Sequence, residues 1–140
     1  MCLNFENQDR LFPDIDYRTL SGLSLAFVGD AVYELFIRKY ILSKGEARVK
    51  DLHRDSVRLV NADFQADMTD VLMPYLKDDE IAVFKRGRNA HAGHTPKNKS
   101  EAQYHKSTGF EALIGYLYLK EDFDRLSFIF SFVCREDKNE

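Results

Sequence analysis

What this chain lacks narrows it before anything it contains. No uninterrupted apolar run approaches the ~20 residues of a membrane-spanning helix, and the opening MCLNFENQDR has no basic-then-apolar order of a secretory leader. The two cysteines, Cys2 and Cys134, sit near opposite ends without metal-ligand spacing, which predicts reduced thiols and a cytoplasmic setting. Strand-like alternation, internal repeats and linkers are missing. So are a Ser/His/Asp arrangement, a phosphate-binding glycine loop and a dinucleotide fingerprint, so no nucleotide cofactor is expected. One more absence is local: no acidic residue occurs between Ile81 and Ser100.

What remains is an ordinary globular composition. The chain has 140 residues, 44% hydrophobic and 31% charged, enough for one domain with a real core. Residues 1–18, with Pro13 and scattered acids, read as a lead-in. Thr19 or Ser21 can cap a long helix to about Leu42, stopped by Ser43-Lys44-Gly45. Leu52, Val57, Leu59, Val60 and Phe64 recur at helical spacing and predict one helix over 49–67. Shorter helices are expected over 69–76, broken at Pro74, and over 78–85, with acids in the first turn. After a polar loop, Ser100 and Gln103 form a plausible capping box for a helix to Leu119. A last helix runs from Phe123 to about Cys134, and REDKNE reads as a solvated end. The expectation is a single all-α domain over 19–135 with an acidic tail at 136–140.

Two of these helices carry an acid among apolar neighbours. On a helix, residues three, four and seven apart share a face. Asp30 then neighbours Leu23, Ala26, Phe27, Tyr33, Glu34 and Ile37, while Glu111 neighbours Tyr104, Ser107, Thr108, Ile114, Gly115 and Tyr118. This patterning predicts that both acids point into a largely buried seam. Gly29 beside Asp30, and Gly109 and Gly115 near Glu111, suggest close backbone approach, since mid-helix glycine costs about 1 kcal/mol. If the helices cross there, the carboxylates face each other and need a shared proton or a cation such as Mg²⁺. Alternatively, each acid caps a backbone group or pairs with Arg38 or Lys106.

The acid-free stretch holds Lys85, Arg86, Arg88, Lys97 and Lys99, although the chain as a whole has net charge −3. Its sequence RGRNAHAGHTPKNKS mixes charge with small polar donors, as phosphate-backbone binding requires. Lys85, Arg86, Arg88, Asn89, Lys97 and Asn98 are the candidate RNA contacts. Double-stranded RNA is read by shape, phosphates and 2′-hydroxyls, so base-specific side chains are not required. The plain alternative is a solvated basic loop. His91-x-x-His94 has no third ligand at a recognisable spacing, which disfavours zinc. Paired acids with Mg²⁺ beside such a loop describe a phosphodiesterase acting on a polyanion.

FVGDAVYELFIR resembles the signature helix of ribonuclease III catalytic domains, and TGFEALIGYLYL resembles the helix bearing their second key acid. RGRNAHAGHTPKNKS is similar to the RNA-contacting loop of the Mini form, which is reduced to the catalytic domain. The resemblance runs from about Leu20 to about Leu126. It implies a helical homodimer that cuts double-stranded RNA with Mg²⁺ and matures large-subunit ribosomal RNA. Asp30 and Glu111 match the metal-binding acids.

Some acids of full-length relatives are replaced here. Leu23 and Ala26 stand where those proteins usually have glutamates, and Thr108 stands where they have an aspartate. Such losses are typical of the Mini form. A further acid from the second helix is expected from Asp55, Asp63 or Asp67. No double-stranded-RNA-binding domain is expected after REDKNE, so the basic loop is expected to supply much of the grip. A non-catalytic RNA-binding module and a Mg²⁺-dependent nucleotide hydrolase are the alternatives from other classes.

Overall fold

The computed structural model describes residues 11–90 and 100–138. Among them are six α-helices: α1 (Gly22–Ser43), α2 (Val49–Val60), α3 (Ala62–Leu72), α4 (Asp78–Arg88), α5 (Glu101–Leu119) and α6 (Phe123–Lys138). Short 3₁₀ turns at Tyr17–Thr19 and Met73–Tyr75 precede α1 and α4. No strand occurs among the described residues, and no helix there is long and apolar enough to cross a membrane.

Ser21 caps α1, its hydroxyl accepting from the Ser24 amide at 3.1 Å. Gly45 follows the helix at φ 133°, where a side chain would be strained, and its N–H closes the last turn on the Leu42 carbonyl at 3.0 Å. Ser100 caps α5 through the Gln103 amide at 3.4 Å.

The predicted helix over 49–67 is in fact two. Asn61 is extended, with ψ 157°, and serves both ends. Its side-chain oxygen accepts from the Phe64 amide at 2.8 Å, while its amide nitrogen donates to the Val57 and Arg58 carbonyls at 3.0 Å. An asparagine side chain can replace the lost helical bonds on both sides, so the hydrophobic period continues through a break that periodicity alone cannot see. α3 then runs through to Leu72, and Pro74 falls in the 3₁₀ turn. α4 extends to Arg88, so Arg86 and Arg88 lie on a helix rather than in the predicted loop.

α1 and α5 cross at the centre. α4 packs against α5 and the start of α1, α3 against α5, α2 against α1, and α6 closes the remaining side. The main core joins Tyr33, Ile37 and Ile41 to Leu59, Phe110, Leu113, Leu117, Ile129 and Phe130. Phe36 stacks on Phe130 at 3.9 Å, and Tyr33 meets Phe110 edge-on at 5.2 Å.

The solvated end predicted for REDKNE is also corrected. α6 continues to Lys138, and Asp137 is buried, 7% exposed. It accepts from Tyr40 and Arg58 at 2.8 Å each and from Lys44, tying α6 to α1 and α2. Three donors satisfy an acid that would otherwise be costly to bury.

Candidate active site

The crossing of α1 and α5 is made by glycines. A Cβ added at Gly29 would overlap the Glu111 carbonyl oxygen and stand 2.8 Å from the Gly115 nitrogen. One added at Gly115 would overlap the Leu25 carbonyl oxygen. The two backbones therefore touch, as the glycines suggest. Because Gly29 precedes Asp30 and abuts Glu111 itself, this contact also brings the two acids together.

Asp30 and Glu111 lie close enough to interact, and the Gln65 side chain from α3 also acts on Glu111. Burial, and next the hydrogen bond and charge of Asp30, push the Glu111 carboxyl up to about 9, opposed by the Gln65 hydrogen bond. The burial prediction holds for only one of the acids. Glu111 is half-buried, but Asp30 is exposed, opening on an apolar cleft of about 460 Å³ lined by Phe27, Val28, Ala31, Val32, Leu35 and Tyr118. Apolar helix neighbours do not imply cover here, since Phe27 is 83% exposed.

The cations that could have neutralised the pair are engaged elsewhere. Arg38 pairs with Glu34 at 3.1 Å, and Lys106 pairs with Asp70 at 3.1 Å. No third acid arrives either. Asp55 lies 3.8 Å from Arg54, and Asp63 and Asp67 face solvent. Among the described residues no group of three or more His, Cys, Asp or Glu is arranged to hold a metal. The polar residue that α3 does deliver is Gln65, which sequence reasoning misses. Its only signal is a lone amide in the buried run Gln65, Ala66, Met68, Thr69, Leu72. The chemistry at hand is thus two adjacent carboxylates, one open to solvent. A hard divalent cation fits this donor set, since Mg²⁺ is usually held by one or two carboxylates and keeps several waters.

The basic residues divide into three groups. Lys97 and Asn98, with His91, His94 and Lys99, lie outside the described residues. Lys85 is exposed on α4. Arg86 donates to the Leu20 carbonyl, bracing α4 against the entry to α1. Arg88 lies over the Phe84 ring at 5.7 Å and donates to the Asn89 side chain at 3.1 Å. With Asn89, Glu101, His105 and Lys106 it lines a polar depression at the junction of α4 and α5. Gly87 packs against Gly109, so this basic turn is seated on the helix that carries Glu111.

The sequence profile of the ribonuclease III domain matches residues 23–122. The Mini-ribonuclease 3 of Symbiobacterium thermophilum is 50% identical over 109 residues, 78% of this chain and 84% of the relative. That of Clostridium tetani is 44% identical over 123 residues, 87% and 82% of the two chains. The crystal structure of a Fusobacterium nucleatum protein superimposes with a TM-score of 0.79 at 32% identity, covering 87% of this chain and 98% of the other. The match spans every helix named above except α6, includes both acids and the glycine crossing, and shows that the chain belongs to the ribonuclease III family and is an endoribonuclease.

Proposed function

We propose that this chain cuts double-stranded RNA with Mg²⁺, as a cytoplasmic homodimer, in the maturation of large-subunit ribosomal RNA. One observation carries the site assignment: Asp30 and Glu111 meet at the glycine crossing while Arg38 and Lys106 pair elsewhere. The ribosomal substrate rests on the likeness to Mini-ribonuclease 3 proteins.

Asp30 and Glu111 would hold the ion. When bound, Mg²⁺ supplies positive charge for the scissile phosphate and activates water for in-line attack. Asp30, being exposed, presents its carboxylate to the substrate side. Glu111 would give up the proton that burial and Asp30 otherwise keep on its carboxyl once a cation is bound, since a nearby positive charge favours the ionised form. Lys85, Arg88 and Asn89, with Lys97 and Asn98, bind phosphates and sugar hydroxyls. Leu23, Phe27 and Leu35 leave an apolar stripe exposed along α1, as a partner copy would require. A two-fold dimer then offers one site to each strand.

The test is cleavage of a long labelled RNA duplex by wild type, Asp30→Asn and Glu111→Gln, with Mg²⁺ and with chelator. Wild type should give discrete fragments only with Mg²⁺, and each variant should lose at least ~100-fold in rate while still shifting the duplex on a gel. Variants that cut normally would place the chemistry elsewhere.

A further inference from the structure

Two pairs of basic and acidic side chains at the start of α5 share one arrangement. Lys106 donates to both carboxylate oxygens of Asp70, at 3.1 and 3.4 Å, and the His105 Nε2 stands 3.5 Å from a Glu101 oxygen. In each pair the basic side chain is the more covered and the acid the more open. Lys106 is 34% exposed against 63% for Asp70, and His105 22% against 78% for Glu101. The fold therefore fixes the donors, while the acids lie on their solvent side. Both donors line the polar depression of about 530 Å³ between the end of α4 and the first turns of α5. To the same depression α4 supplies Arg88, which is held by neutral groups, the Phe84 ring at 5.7 Å and the Asn89 side chain at 3.1 Å. Three basic side chains from two helices thus converge on one hollow, and two of them are covered by exposed acids.

We propose that this depression is a phosphate subsite for the RNA duplex, at which Lys106 and His105 pass from Asp70 and Glu101 to a backbone phosphate beside Arg88. The inference rests on the reading that the chain binds double-stranded RNA, and it adds two donors on α5 to those of α4. The exchange follows from what each state holds. An exposed ion pair is screened and weak, so releasing Asp70 costs little. A phosphate offers Lys106 the same charge-assisted bond, and it offers Arg88 a charge where the free protein has only an amide oxygen. His105 contributes in either form, since a neutral imidazole still has one N–H to donate. Asp70 and Glu101 meanwhile keep the hollow from holding unpaired positive charge before the duplex arrives. Lys106 and His105 also stand five and six residues before Glu111 on the same helix, about 7.5–9 Å along its axis. A phosphate gripped there is tied to the proposed metal site by one continuous element.

The experiment is fluorescence anisotropy of a short labelled RNA duplex titrated with the full chain in chelator, with thermal unfolding of the same samples. Lys106→Met should weaken binding by roughly 3- to 10-fold and lower the slope of log affinity against log salt by about one, as the loss of one phosphate contact does. Asp70→Asn is the sharper variant, because it should move the other way. Freeing Lys106 should tighten binding by roughly 2- to 5-fold, the worth of an exposed pair, while Tm stays level or falls. Combined with Lys106→Met, that gain should vanish. A gain that survives in the double variant would be long-range charge alone and would overturn the proposal. So would wild-type affinity in both single variants, which would make the pair a surface brace. Lys85→Ala runs alongside. If it weakens binding while Lys106→Met and Asp70→Asn match wild type, duplex binding stands and only the subsite fails. If wild type binds the duplex neither in chelator nor with Mg²⁺, the RNA reading fails and the subsite with it.

Discussion

Glu111 carries two opposed demands. The proposed metal binding needs it ionised, and the fold makes ionisation expensive. With its carboxyl near 9, against 4.5 for an ordinary glutamate, the folded chain binds this proton more tightly than the unfolded chain does. The stability it contributes is complete below about pH 4.5 and is lost as pH rises toward about 9. Metal-free protein should therefore lose Tm across that window. Glu111→Gln, having nothing to ionise, should remove most of the loss and melt above wild type near pH 8, as thermal unfolding with chelator would report. Parallel pH profiles for the two proteins would show that burial at this carboxyl is not felt. Asp137 does not confuse the result. Its burial is outweighed by hydrogen bonds from Lys44, Arg58 and Tyr40, which hold it at about 2, so its contribution fades only in strong acid. The two acids show how burial serves different ends, one with donors on several sides and one facing another acid.

Among the elements, the α1–α5 crossing decides most. Gly29→Ala would drive a methyl into the Glu111 carbonyl, and backbone on both sides cannot yield as a flexible side chain would. The helices must separate, at a cost of about 3 kcal/mol or more, the upper part of the overpacking range. Cleavage should fall even where the variant is folded, because Asp30 and Glu111 separate with the helices; denaturant unfolding and duplex cleavage on the same sample check both. α4 has a different double role. Arg86 braces the entry to α1, so removing it confuses stability with binding. Lys85→Ala with Arg88→Ala is the cleaner pair. It should weaken duplex binding and reduce the slope of log affinity against log salt by about one for each phosphate no longer neutralised, with Tm little changed. An unaltered salt slope would remove α4 from the RNA surface. The glycines and the caps at Ser21 and Ser100 are legible in the sequence. The break at Asn61 is not, since its side chain bonds both helices without disturbing the hydrophobic period.

For the molecule as a whole, the apolar stripe of α1 is where the proposed dimer can be tested. Phe27 at 83% and Leu35 at 49% exposure border the cleft onto which Asp30 opens. Phe27→Asp should convert the chain from dimer to monomer in sedimentation velocity and lower cleavage with it, because a single copy lacks the partner site for the second strand. A monomeric wild type would end the dimer reading. The rest of the molecule serves as the frame: Asp137 fastens α6 to α1 and α2, and Arg125 grips the buried Glu80 at 2.6 Å to lock α6 onto the start of α4.

Local physics determined much of this from the sequence alone. Helical periodicity, capping residues and glycines act within a few residues, so the all-α class, the two acids among apolar helix neighbours and the glycines beside them could be read directly, whereas the contact between their helices could not. Tertiary structure decided what depends on partners far along the chain. It left Asp30 open while half-burying Glu111, sent Arg38 and Lys106 to other acids, and buried Asp137 and Gln65. A side chain's type and helix face are local properties. Which group stands opposite it is a property of the packing, and that opposition sets its charge.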